Sequence, residues 1–138
     1  MTEITCVGLG LMGSALSRAM LMGGHRITVW NRSPGRAEAL VSLGAEEARS
    51  FAEALAASLV VLICIDSYAS TRALLESEGL VDHLAGRTIV NLTTGTPREA
   101  EALSAWVGAQ GVRYLDGAIL CGPNQIGTKG GEVLFSGD

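Results

Sequence analysis

Cys6-Val7-Gly8-Leu9-Gly10-Leu11-Met12-Gly13-Ser14 is the stretch whose residue types and spacing could do chemistry most directly. An apolar run over residues 4–7 enters it, glycines follow at 8, 10 and 13, and a helical pattern leaves it toward Met22. If the segment is a strand, a tight turn and a helix, each glycine has a mechanical task. Gly8 allows the turn, Gly10 lets backbone approach a pyrophosphate, and Gly13 lets helix and strand pack closely. The helix start then offers unpaired N–H groups and a partial positive charge to phosphate oxygens. Glycine-rich turns are common, so the spacing points to a dinucleotide only because a strand precedes it and a helix follows.

Asn31-Arg32-Ser33-Pro34-Gly35-Arg36 carries the second signal, at the end of a short β-branched run over residues 27–30. A site specific for NAD usually places Asp or Glu about 20 residues beyond the glycines, to accept hydrogen bonds from the adenosine ribose. Asn31 stands there instead. A carboxylate would repel a 2′-phosphate, whereas Arg32 and Arg36 can pair with one and Ser33 can donate to it. The plainer alternative is a polar turn capping a helix over residues 34–43. The missing acid together with the arginines favours NADP(H).

These residues need a sheet to hold them. With 138 residues, 48% of them hydrophobic and 17% charged, the chain is expected to form one domain able to bury a sizeable core. Apolar runs alternate with helical patterns, which predicts an α/β fold: a doubly wound, mostly parallel sheet in a three-layer αβα sandwich, the Rossmann type. The run over residues 59–65 reads as a central strand covered on both faces, and its end brings Cys64, Ile65 and Asp66 to the ligand edge. Asp66 has an equal alternative as the cap of the next helix. A short strand is expected within 45–48, a helix capped by Ser50 and Glu53, a helical pattern over 71–78, and a short helix or loop over 79–84. The strand over 88–92 is followed by Thr96, Pro97 and Glu99, a helix start with cap, proline and capping-box acid. Asn91, Thr93 and Thr94 precede that cap on the cofactor edge. Residues 113–120 read as the last parallel strand, and a turn at 129–131 leads into 132–135.

A net charge of −4 argues against nucleic acid or an anionic membrane as the main partner. No apolar stretch approaches the roughly 20 residues that span a bilayer, and the chain opens on a strand, so a cytoplasmic location is expected. Cys6, Cys64 and Cys121 are odd in number and far apart, and His25 and His83 are isolated; neither a disulfide framework nor a metal site is expected. Lys129, the lone lysine, falls in a glycine-rich turn open to water, a poor place to activate an amine. No catalytic residue is assigned.

Gly8-Leu9-Gly10-Leu11-Met12-Gly13, Asn31-Arg32-Ser33, Asn91-Leu92-Thr93-Thr94-Gly95-Thr96-Pro97 and the segment 116–127 together resemble the β-hydroxyacid dehydrogenase superfamily. Within it they are similar to the NADPH-dependent imine reductases. Hydroxyacid dehydrogenases usually write segment 116–127 with a Ser-Gly-Gly core, which is absent here. The resemblance implies hydride transfer from NADPH to the carbon of a C=N bond, with a small-molecule imine as substrate. Residues 8–13 would hold the pyrophosphate. Arg32, Ser33 and Arg36 would hold the 2′-phosphate, Asn91 to Thr94 would serve the nicotinamide side, and Leu120, Cys121 and Pro123 would line the substrate end. It also implies a homodimer, with a proton donor and a helical dimerisation domain in a later region that residues 1–138 do not contain. On that reading the chain alone does not turn over an imine. A hydroxyacid dehydrogenase fragment and a non-catalytic nucleotide-binding module remain as alternatives.

Overall fold

The computed structural model describes residues 1–77 and 80–137. The apolar runs become strands β1 (Glu3–Val7), β2 (Arg26–Trp30), β3 (Glu46–Glu47), β4 (Val60–Ile63), β5 (Thr88–Asn91), β6 (Arg113–Ile119) and β7 (Val133–Gly137). Between them run helices α1 (Leu11–Met22), α2 (Glu38–Ser42), α3 (Phe51–Ala57), α4 (Tyr68–Glu76) and α5 (Pro97–Ala109), with 3-10 turns at Leu80–His83 and Pro123–Gln125. The strands form one seven-stranded sheet in the order β3-β2-β1-β4-β5-β6-β7. All neighbours pair in parallel except β6 and β7, which are antiparallel. Strand order reverses between β1 and β4, and at such a switch point the connecting helices leave to opposite faces and open a crevice.

Both faces are covered, as the near-continuous apolar strands require. On one side Phe51, Leu55, Leu75, Leu103 and Val107 of α3, α4 and α5 pack on Val61, Ile63 and Ile89. On the other, Leu16 of α1 meets Val90 and Leu92, and Leu40 of α2 joins Ile27 and Val29. Leu55, Ile63, Leu75 and Ile89 are fully withdrawn from water, each worth roughly 1.5–3 kcal/mol. The largest share of the core therefore lies under β1, β4 and β5, whose ends carry the site.

Several local expectations change. The helix expected over 34–43 is only Glu38–Ser42, because Gly35 takes a left-handed φ of +85° and the chain stays in turns until Ala37. The strand expected over 59–65 ends at Ile63. Asp66 does not cap α4: the Ser67 hydroxyl accepts from the Ser70 N–H at 3.0 Å and takes that role. At α3 the Ser50 hydroxyl accepts from the Glu53 N–H at 3.1 Å, but the Glu53 carboxylate takes the Arg49 N–H at 3.0 Å, one residue upstream of the cap. The Thr96 box is complete, with Glu99 N–H donating to the Thr96 hydroxyl at 3.2 Å and Thr96 N–H to the Glu99 carboxylate at 3.0 Å. The helical pattern over 71–78 begins earlier, at Tyr68; Glu78 and Gly79, which fall in the segments expected over 71–78 and 79–84, lie outside the described residues.

Cys6, in the middle of the sheet, is 2% exposed. Burial pushes its thiol up from 9.0 to about 11, opposed by a hydrogen bond with Ser17 and helped by the nearby Cys64. The folded state thus holds this proton more tightly than the unfolded chain does. The associated stability is fully present below pH 9 and is lost as pH rises through 11, about 3 kcal/mol in all. In urea titrations from pH 8 to 11 the unmutated chain is expected to lose stability, with Cys6 contributing that share of the slope beside the other raised thiol and phenols. Cys6→Ala should be less stable at pH 8 yet flatter across the window, and an identical slope in both would contradict the assignment.

Candidate cofactor-binding site

The ends of β1, β2 and β4 converge with α4 on a cleft of about 880 Å³ at the switch point. Its floor is the glycine turn, residues 8–13; Asn31, Arg32 and Ser33 form one wall, and Cys64, Ile65, Asp66 and α4 form the other.

Glycine is needed in this turn for two different reasons. Gly8 sits at φ +99°, and a Cβ there would lie 2.1 Å from the Cys64 carbonyl oxygen. At Gly13 a Cβ would lie 1.9 Å from the Gly8 carbonyl oxygen, because the first turn of α1 packs directly on the glycine turn. Gly10 is the exception: a Cβ would meet nothing within 4 Å. Gly10 is also the N-cap of α1, with φ −69° and no side-chain cap over the helix start. The space at Gly10 and the uncapped N–H groups beyond it therefore face the cleft, as a pyrophosphate would require.

Asn31 contributes more than the absence of an acid. The β1–β2 ladder ends with Gly8 N–H donating to the Trp30 carbonyl at 3.0 Å. The next N–H, that of Leu9, donates to Asn31 Oδ1 at 2.9 Å, so the side chain continues the ladder by one rung. Asn31 Nδ2 donates to the Ser33 carbonyl at 2.9 Å. Only this amide orientation satisfies both partners, and it ties the glycine turn to the arginine turn. Arg32 and Ser33 are exposed on the cleft, and Arg36 is exposed beyond its lining. Neither arginine makes an ion pair among the described residues, which leaves both free for an anionic ligand.

On the opposite wall, Cys64 continues the β1–β4 ladder through its N–H to the Val7 carbonyl at 2.9 Å. Burial raises the pKa of its thiol, which favours the neutral form, and the side chain forms part of the wall. Leu9 is buried, Leu11 is exposed at the cleft and Met12 is half-buried there.

Other expected site residues lie elsewhere. Asn91 and Thr93 are buried at 0% and 2% exposure, since both spend their polar atoms inside the protein. Thr93 N–H donates to Asn91 Oδ1 at 3.1 Å, and the Thr93 hydroxyl accepts from Ile65 N–H at 3.2 Å. These bonds tie them to Ile65 of the wall from behind. Thr94 is exposed but outside the cleft lining. Leu120, Cys121 and Pro123 also fall outside it: they follow β6 into the 3-10 turn, from which Ile126 packs with Leu16 and Met20 of α1.

Sequence reasoning missed a polar cluster behind the cleft. The Tyr68 and Tyr114 hydroxyls both donate to Asp116 Oδ1, at 2.5 and 2.9 Å, and Asn91 Nδ2 donates to the Tyr114 oxygen at 3.2 Å. Burial raises both phenols, and the Asp116 carboxylate raises them further. The available signal was Tyr114 and Asp116 two apart on one strand face, with Asp116 opposite Asn91 in the parallel register.

No group of three or more His, Cys, Asp or Glu side chains among the described residues could hold a metal ion. No described helix is long and apolar enough to cross a membrane.

Known proteins share this architecture. The chain is 37% identical over 136 residues to an NADPH-dependent reductive aminase of Aspergillus oryzae, covering 99% of this chain and 45% of that protein. The solved imine reductase of Myxococcus stipitatus in complex with NADP+ superposes with TM-score 0.94 and 36% identity, covering all of this chain and 47% of that one. A reductive aminase of Aspergillus terreus, solved with cyclohexanone and allyl amine, superposes with TM-score 0.91 and 39% identity, covering 99% of this chain and 48% of that one. The chain thus spans just under half the length of these relatives. Residues 3–138 match the family model of the NAD binding domain of 6-phosphogluconate dehydrogenase, and the chain belongs to that family of Rossmann domains.

Proposed function

We propose that this is the NADPH-binding domain of an oxidoreductase that reduces the C=N bond of imines to amines. The observation that carries the cofactor reading is the cleft itself: a Gly10 with open space where a Cβ would stand, facing Ser33 and an Arg32 that makes no ion pair among the described residues. The bound cofactor supplies the hydride. The chain supplies binding and orientation: residues 8–13 for the pyrophosphate, Arg32 and Ser33 for the 2′-phosphate with Arg36 nearby, and Met12, Cys64 and Ile65 as apolar walls that exclude water. Asp66, exposed on the cleft lining after β4, would accept from a ribose hydroxyl.

The imine reading is supported by the reductive aminase and imine reductase relatives and by the absence of a Ser-Gly-Gly core in 116–127. On this reading the protein works in the cytoplasm as a homodimer, with a small-molecule imine as partner and neither nucleic acid nor membrane. In the full-length protein, NADPH absorbance is expected to fall on addition of a cyclic imine, with no reduction of NADP+ by β-hydroxy acids. Hydroxy-acid oxidation without imine reduction would overturn the reading.

A further inference from the structure

We propose that Asp116 is a positioning residue of the cofactor cleft, holding the wall that faces the Arg32 turn through two hydrogen-bonded arms. The inference rests on the reading of that cleft as the NADPH site. One arm runs from Asp116 through the Tyr114 hydroxyl and the Asn91 amide to Thr93, whose hydroxyl accepts from Ile65 N–H. Ile65 belongs to the cleft wall. The other arm is the 2.5 Å bond from Tyr68, the first residue of α4, whose successors Ala69 and Ser70 line the same wall. The Tyr68 ring also lies against Gly95, where a Cβ would come within 2.3 Å of it, so the same side chain sets the loop after Thr93.

Such a cluster is costly to bury unless every member is satisfied, and no buried side-chain polar atom among the described residues lacks a partner. The carboxylate oxygen is the point where the arms meet. Both phenol donors need an acceptor in that one place, and without it Tyr114 and Tyr68 are each left with an unmatched hydroxyl under the wall. Asparagine offers the same acceptor oxygen in the same shape; leucine offers the volume without it.

NADPH and NADH dissociation constants of the full chain, measured well below its melting temperature, test the idea. Asp116→Leu is expected to weaken both cofactors by a common factor of about fivefold or more. Tyr68→Phe, which keeps the ring against Gly95, is expected to weaken both by about twofold to fivefold. Asp116→Asn is expected to restore binding to within about twofold of the unmutated chain. A lower melting temperature in Asp116→Leu with unchanged dissociation constants would overturn the proposal, because it leaves the cluster a purely structural role. Should Asp116→Leu fail to fold, Tyr68→Phe with unchanged affinities would overturn it equally. If the unmutated chain binds neither cofactor, the reading of the cleft itself has failed, and the proposal with it.

Discussion

Gly13→Ala is expected to destabilise the domain by about 3 kcal/mol or more and to abolish cofactor binding, whereas Gly10→Ala should leave stability nearly unchanged and still weaken NADPH about tenfold or more. A Cβ at Gly13 would sit 1.9 Å from the backbone oxygen of Gly8, so α1 must move off the turn. Backbone against backbone cannot relax cheaply, and in a domain with about 5–15 kcal/mol of total stability the loss is large. A melting-temperature drop of about 10 °C or more is the expected readout. Gly10 has open space and an ordinary φ of −69°, which alanine adopts without strain. Its Cβ would instead occupy the path by which a pyrophosphate reaches the α1 N-terminus, weakening NADPH about tenfold or more at an unchanged melting temperature. Equal melting losses in the two variants would contradict the assignment of distinct roles.

Arg32→Ala carries the second large effect. One charge-assisted hydrogen bond to phosphate is worth about 1.5–3 kcal/mol, or a tenfold or greater loss of NADPH affinity, while NADH should be affected little. Arg36→Ala should cost less, because Arg36 lies outside the cleft lining. Calorimetric titration of both cofactors against both variants gives the comparison. A loss shared equally by NADH and NADPH would mean that Arg32 does not read the 2′-phosphate.

The features legible in the sequence are those set by neighbours within a few residues. Gly8 announces itself through backbone conformation, Gly13 through its close approach to Gly8 five residues back, and the Thr96-Pro97-Glu99 helix start through capping, all of them local. Parallel strands buried on both faces read as continuous apolar runs, and the run over 59–65 overshoots the central strand by two residues at its far end. The shortened α2 was less legible, because helical periodicity continues through a turn that Gly35 breaks.

The least legible contacts join residues far apart in sequence. In the sequence Asn31 stands out by the charge it lacks, but its two hydrogen bonds depend on where the first strand stops beside the second. Asn91 and Thr93 sit at a strand end on the ligand edge, as expected, yet cross-strand register turns them inward to Tyr114 and Ile65. Leu120 to Pro123 leave the sheet toward α1, a direction that no local pattern encodes. Of the residues expected to touch the cofactor, residues 8–13, Asn31, Arg32, Ser33, Cys64, Ile65 and Asp66 line the cleft, Asn91 and Thr93 are buried behind it beside Asp116, and Arg36 and Thr94 are exposed outside its lining.

The central claim is that the cleft selects NADPH by pairing an acid-free turn with a glycine turn built for a pyrophosphate. Parallel calorimetric titrations of the unmutated chain with NADPH and NADH test it most directly. NADPH is expected to bind about tenfold or more tightly; equal affinities would contradict the account.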